Sequence, residues 1–142
     1  MLHLTTTAYG SIVAHAYDGL PMEACGLLGG RPGHSNGGDA AHACVFYATG
    51  NDAHSAKLYT IPPLEHLRAE RAAEDRGLEI IGVVHSHTHT DAYPSPTDVR
   101  QAPDPSWHYV IVSLRDEAPT LRSYRIADGN ITEEPVVVVA DA

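Results

Sequence analysis

Lys57 is the only lysine in this chain of 142 residues, and the arginines are scattered. Lys and Arg together number 9 against 18 Asp and Glu, a net charge of −9. A nucleic-acid binder shows a basic face, so nucleic acid is excluded as the expected partner. An anionic membrane surface is excluded on the same ground. Cysteine is nearly absent: Cys25 and Cys44 make no disulfide framework, and the chain reads as a cytoplasmic protein with reduced thiols. Long apolar runs are missing too. The run Val136–Ala140, for example, falls far short of the roughly 20 residues a membrane helix needs. The opening MLHLTTTAYG has no charged segment followed by an apolar one, so no signal peptide is expected.

The remaining balance, 43% hydrophobic and 19% charged, is that of a globular protein rather than a disordered one. The length suits one domain, taken as 1–142. A chain of this size buries roughly 68–70% of its unfolded surface, enough to fold without a disulfide or metal. Histidine is the residue in excess, with ten.

Apolar spacing and punctuation predict the elements. Thr6 or Thr7 caps a helix running to about Asp18, with Tyr9, Ile12, Val13, Ala16 and Leu20 on its apolar face and Gly19 and Pro21 as its stop. Ala24–Gly29 and Ala41–Ala48 read as strands, joined by a loop over Gly29–Asp39 whose glycines match no phosphate-binding pattern. Asn51–Ala56 reads as loop, with Lys57–Thr60 extended. Pro63–Arg76 is a helix opened by proline and closed by Gly77, with Leu64 and Leu67 facing inward. Glu79–His87 is a strand, Thr88–Pro94 a loop, and Ser95–Ala102 a short helix capped by Ser95. Trp107–Ser113, Leu121–Ile126 and Ile131–Val139 are further strands, with a tight turn at Asp128-Gly129. The order implies an α/β fold: a single mixed sheet flanked by helices.

Chemistry concentrates in His85–Asp98, HSHTHTDAYPSPTD. His85 and His87 are two apart at a strand end, so both imidazoles project to one face and can share a metal. Asp98 supplies an oxygen from the following helix. Two His and one carboxylate, with a fourth position open, is the layout of a catalytic zinc site. Each part has a plainer explanation alone. A His-x-His pair on a strand is often inert, and Ser95–Asp98 is nearly a capping box, with Asp in place of Glu or Gln. Taken together, a His pair at a strand end followed at fixed distance by Ser and then Asp favours the metal.

The spacing His-Ser-His, seven residues, Ser, two residues, Asp resembles the JAMM (MPN-plus) metalloprotease motif. Glu23, in MEACGLLGG, matches that family's upstream glutamate. HSHTHTDAYPSPTDV, HYVIVSLRD and LRSYRIADGNITEEPV resemble the small actinobacterial members that act on the sulfur carrier CysO. The resemblance covers nearly the whole chain. It implies the MPN/JAMM, cytidine-deaminase-like architecture. It implies Zn2+ on His85, His87 and Asp98, Glu23 as general acid/base, and Ser95 as the donor that stabilises the oxyanion. It also implies a substrate: the amide joining the C-terminal glycine of a ubiquitin-like sulfur carrier protein, with a Gly-Gly tail, to cysteine. Such a tail can lie extended against a strand edge. Thr88 departs from the proline that many relatives carry there, at a position that binds no metal. A homodimer is left open.

Other readings compete. His89 would join His85 and His87 if the strand continued, giving three imidazoles. Asp91 reads as a surface loop acid. A cupin-type oxygenase also starts from His-x-His, but it needs a further Glu and an all-β barrel. Cys25 could be a nucleophile, although a small cysteine in an apolar strand is more often simply buried; Cys44 is similar. His3, His15, His34, His42, His54, His66 and His108 show no ligand spacing and read as surface or local hydrogen-bonding residues. Trp107 and Tyr109 read as core. A non-catalytic scaffold that keeps the fold is the non-enzyme alternative, and trimming of another carrier's tail is the alternative within enzymes.

Overall fold

A computed structural model of the protein describes residues 1–33 and 40–141. The second half of the Gly29–Asp39 loop and His34 lie outside the described residues. The order is β1 (Leu2–Thr5), α1 (Thr6–Gly19), β2 (Cys25–Arg31), β3 (Ala41–Thr49), α2 (Pro63–Asp75), β4 (Glu79–His87), α3 (Pro96–Arg100), β5 (His108–Ser113), β6 (Thr120–Ala127), β7 (Asn130–Glu134) and β8 (Val136–Val139). All the strands join one mixed sheet in the order β7-β6-β5-β4-β2-β3-β1-β8. The expected architecture, one mixed sheet flanked by helices, is the one observed.

Two cores form on the two faces of this sheet, because successive side chains on a strand alternate. On one face α1 buries Ala8, Ile12 and Ala16 against Leu28, Val84, Val110 and Val112. On the other, Ala69 of α2 packs with Leu27, Val83, Tyr109, Ile111 and Tyr124. β4 is the shared wall, with Val84 on the first face and Val83 on the second. By alternation, His85 and His87 belong to the second.

The sheet curls. β7 and β8 end up at opposite edges, yet only Pro135 separates them. The predicted strand Ile131–Val139 is therefore two strands. Proline has no N–H to continue a ladder; its carbonyl instead accepts from Leu2 N at 2.9 Å, which hands the chain over to β1. Beside this crossing, Glu134 accepts from His108 Nδ1 at 2.6 Å and Ser123 Oγ at 2.8 Å, and its other oxygen lies 3.2 Å from the Met1 amino group.

Other expectations shift. β1 was not anticipated, and it moves the α1 cap to Thr5, whose hydroxyl accepts from Ala8 N. Leu20, past the end of α1, is exposed. Lys57–Thr60 forms no strand. On α2, Leu64 and Leu67 point to solvent, at 57% and 42% exposure, while Ala69 and Ala73 face the sheet. With the small alanines against the sheet, Glu65 Oε1 accepts from Gly50 N at 3.1 Å. Gly77 closes the helix at φ +71°, the left-handed region that glycine adopts without strain.

Candidate functional site

β2 and β4 pair antiparallel with Cys25 opposite His85. The alignment runs on past the ladder: Ser86 N donates to Ala24 O at 2.9 Å, and Ala24 N donates to Ser86 Oγ at 2.8 Å. Continuing that register sets Glu23 across from His87. A pair of hydrogen bonds thus ties the segment carrying the acid to the strand carrying the histidines.

Three ligand atoms converge there. His85 Nε2 and His87 Nε2 are 3.1 Å apart, and Asp98 Oδ2 is 3.1 Å from the first and 3.2 Å from the second. All three residues are buried. Asp98 is held by α3. Ser95 Oγ accepts from Asp98 N at 3.1 Å, and Asp98 Oδ2 accepts from Ser95 N at 2.9 Å, a reciprocal capping box. The plain capping role and the site role therefore coexist in one side chain.

His87 Nδ1 lies 2.7 Å from the Asp91 carbonyl. A carbonyl only accepts, so Nδ1 carries a hydrogen and Nε2 is directed at Asp98, as a donor when the ring is protonated and as a lone pair when it is neutral. The His85 ring stacks on Tyr59, with centroids 4.3 Å apart and planes 18° from parallel. Burial lowers the His85 pKa and favours its neutral form. Burial opposes charge at His87 as well, but the contacts with Asp98 and Asp91 outweigh it and raise the pKa. Burial would lift the Asp98 carboxyl, yet hydrogen bonds from both imidazoles and from Ser95 N–H hold it well below the usual carboxylate range.

Two imidazole nitrogens and a carboxylate oxygen this close need a proton or a cation between them. Tetrahedral zinc, with N and O ligands at about 2.0–2.1 Å, sets neighbouring ligand atoms about 3.3–3.4 Å apart. The observed triangle is within a few tenths of an ångström of that face. Among the described residues no other group of three or more His, Cys, Asp or Glu could hold an ion. The donor set fits a zinc ion with one side left open.

Glu23 lies among these charges, coupled to His87 and Asp98. It is 5% exposed, and its Oε1 is buried without a hydrogen-bond partner. Burial, opposed by His87 and reinforced by Asp98, pushes its carboxyl up to about 8.

The sequence model describing prokaryotic homologs of the JAB domain matches residues 5–127. The chain belongs to this family. As a JAB-domain protein it is 45% identical over 130 residues to the CysO-cysteine peptidase of Mycobacterium tuberculosis, covering 91% of this chain and 85% of that one. It is 32% identical over 117 residues to a desampylase of Haloferax volcanii, covering 79% and 80%. A solution structure of a Desulfitobacterium hafniense protein superposes with a TM-score of 0.89 at 35% identity, over 99% of this chain and 94% of the other. A JAB1/MPN domain protein of Archaeoglobus fulgidus shares the fold alone, with a TM-score of 0.59 at 19% identity, over 95% and 98%.

Within this JAB domain the alternatives separate. β4 ends at His87, so His89 does not follow the ligand face and is exposed. Two helices of more than ten residues remove the all-β barrel. Cys25 is buried; burial pushes its thiol up to about 11, and Sγ donates to Gly50 O at 3.2 Å, the opposite of an activated nucleophile. Cys44 is half-buried and His108 is buried against Glu134. The Asp91 side chain is an exposed acid paired with Arg115 at 2.6 Å, yet its carbonyl orients His87. Tyr109 is core, whereas Trp107 is half-buried.

Asn51 and Tyr59 escaped the sequence reading. Asn51 Nδ2 donates to Glu23 O at 3.0 Å and Leu58 O at 2.9 Å, while Oδ1 accepts from Ala53 N at 3.0 Å and Thr60 N at 2.8 Å. One amide, with its full bonding capacity used, ties the Glu23 backbone to the residues flanking Tyr59. An asparagine just after a strand signals a turn. Nothing in the sequence indicates its reach to Glu23.

Proposed function

We propose that this protein is a zinc-dependent peptidase. It hydrolyses the amide between the C-terminal glycine of a ubiquitin-like sulfur carrier protein and cysteine, and releases cysteine for biosynthesis. The observation that carries this reading is the buried His85–His87–Asp98 triangle with the buried, unpartnered Oε1 of Glu23 opposite His87. The likeness to the CysO-cysteine peptidase supports the substrate class.

His85, His87 and Asp98 would hold the ion. Zinc bound there supplies Lewis acidity, polarising the scissile carbonyl and making water acidic enough to ionise near neutral pH. Glu23 is the general base for that water, and later hands the proton to the departing amine. A carboxyl oxygen without a resident hydrogen-bond partner is free to do both. Ser95 donates to the oxygen of the scissile carbonyl: its Oγ already accepts from Asp98 N, so its own hydrogen is left to give. Such a donor is worth about 3–4 kcal/mol of barrier in a dry site. Asn51 keeps Glu23 at its station. β2 and β4 are interior strands with both edges paired, so an extended tail would pair with another segment or lie over the sheet face.

The test is intact-mass analysis of a carrier ending in Gly-Gly-Cys, incubated with the zinc-loaded protein and with Glu23→Ala. Loss of one cysteine by the wild type alone is expected. No loss with zinc bound overturns the substrate assignment. The likeness to a desampylase favours the second reading, release of a ubiquitin-like modifier from a larger conjugate. A protein-linked carrier in the same assay separates the two. A chain that takes up no zinc would be a scaffold. The proposal takes 1–142 as one domain acting in the cytoplasm, with a homodimer as the further assembly to test by light scattering.

A further inference from the structure

The two imidazoles of the ligand triangle are held by different means. His87 has the partner that a metal-binding histidine ordinarily has on its far nitrogen: Nδ1 lies 2.7 Å from the Asp91 carbonyl. His85 has no such partner among the described residues. Its polar contacts run through Nε2 alone, to His87 and Asp98. Tyr59 lies against its ring instead, with centroids 4.3 Å apart and planes 18° from parallel. The Nε2 lone pair lies in the plane of the imidazole, so whatever fixes that plane aims the ligand. Turning the ring about its Cβ–Cγ bond would drive an edge into the phenol face, and the stack resists it.

A group that orients a ligand must itself be fixed, and Tyr59 is. It belongs to residues 51–60, a loop without helix or strand. Asn51 closes the base of this loop. Its Oδ1 accepts from Thr60 N at 2.8 Å and its Nδ2 donates to Leu58 O at 2.9 Å, so both neighbours of Tyr59 are held. Asp52 N donates to Thr60 O at 2.8 Å alongside. The far side of the loop is pinned to the site itself. Glu23 N donates to Ser55 O at 2.7 Å, and Thr88 Oγ1 donates to Ala56 O at 3.2 Å. Thr88 directly follows His87, and a proline there would have no hydroxyl to give. We propose that Tyr59 is a positioning residue for the metal centre: its ring, anchored through this loop, does for His85 what the Asp91 carbonyl does for His87. This rests on the reading of the triangle as a zinc site. The flat face of the ring is the part that acts, and the hydroxyl has no share in the stack.

Zinc affinity, read by competition with a chelator, is compared in the wild type, Tyr59→Phe, Tyr59→Leu and Thr88→Val. Leucine keeps apolar bulk but offers no flat face. Tyr59→Leu is expected to bind zinc about tenfold more weakly, and Tyr59→Phe within about twofold of the wild type. Thr88→Val leaves both rings in place and frees one anchor of the loop, so it should weaken zinc in the same direction and by less. Cobalt(II) in place of zinc gives a readout that involves no turnover. Its visible absorption is strong in four-coordinate sites and weak in six-coordinate ones, and a His85 ring free to swing admits water. The Tyr59→Leu spectrum should weaken, and the Tyr59→Phe spectrum should match the wild type. Denaturant unfolding of the chelated proteins separates this from lost packing. A lower unfolding free energy in Tyr59→Leu with a wild-type cobalt spectrum makes Tyr59 a packing residue only and overturns the proposal. Unchanged zinc affinity in both Tyr59→Leu and Thr88→Val overturns it too, as does an equal loss in Tyr59→Phe and Tyr59→Leu. Failure of the underlying reading shows instead in the wild type: no zinc uptake, or uptake that survives His85→Ala undiminished, overturns the metal site and the role of Tyr59 with it.

Discussion

Glu23 is the residue at which burial and chemistry meet. Its carboxyl, ordinarily near 4.5, is pushed up to about 8 by burial. In the unfolded chain it ionises near 4.5, and in the folded, metal-free protein only near 8. Between those values the folded state holds an extra proton, so this residue makes stability fall as pH rises. Denaturant unfolding of the chelated protein at pH 5 and pH 8 should show that fall. Glu23→Gln should remove it and exceed the wild type by roughly 2–4 kcal/mol at pH 8. Parallel pH profiles for the two proteins would show that Glu23 does not ionise in this window. Asn51 belongs to the same scale. Its position in the sequence signals a turn, and its hold on Glu23 becomes visible only when residues 28 apart in sequence are brought together.

At the scale of the element, α3 is five residues long and has no reason to persist without its cap. Ser95 serves as that cap, and its hydroxyl is also the proposed donor. Ser95→Ala should therefore cost about 1 kcal/mol of unfolding free energy and, by loosening Asp98, lower zinc affinity as read by competition with a chelator. Ser95→Thr keeps a hydroxyl and should retain both. Unchanged zinc affinity in Ser95→Ala would show that α3 holds Asp98 without the cap. The span of β4 was legible from its apolar β-branched run, whereas its end at His87, which sets His89 aside, is shown by the structure. α2 was legible as a helix but not in its rotation. Hydrophobicity favours Leu64 and Leu67, whereas the small Ala69 and Ala73 are the residues that pack on the sheet.

At the scale of the molecule, the curled sheet depends on the crossing at Pro135, and Glu134 is the buried charge beside it. Burial alone would raise its carboxyl. Hydrogen bonds from His108 and Ser123 hold it down at about 2, against an ordinary 4.5. A depressed carboxyl contributes stability that is complete above its unfolded value and lost as pH falls through its folded one. Wild-type unfolding free energy should thus drop between about pH 4.5 and pH 2. Glu134→Gln should be flatter across that window and roughly 2–3 kcal/mol less stable at pH 6. Parallel pH profiles would place the anchor elsewhere.

The His85–His87–Asp98 cluster and the mixed α/β class were readable from residue order, because each is local: a strand period, a cap, a fixed spacing. Glu23 alone was legible only through resemblance, since 62 residues separate it from His85 and no local signal links them. Tertiary structure decided the rest. It split the last strand between opposite edges of the sheet, turned the α2 leucines outward, and brought Tyr59 onto His85. It set His89 aside by ending β4 at His87. These outcomes depend on which distant backbone groups find partners when the sheet closes, a long-range condition that no stretch of sequence states.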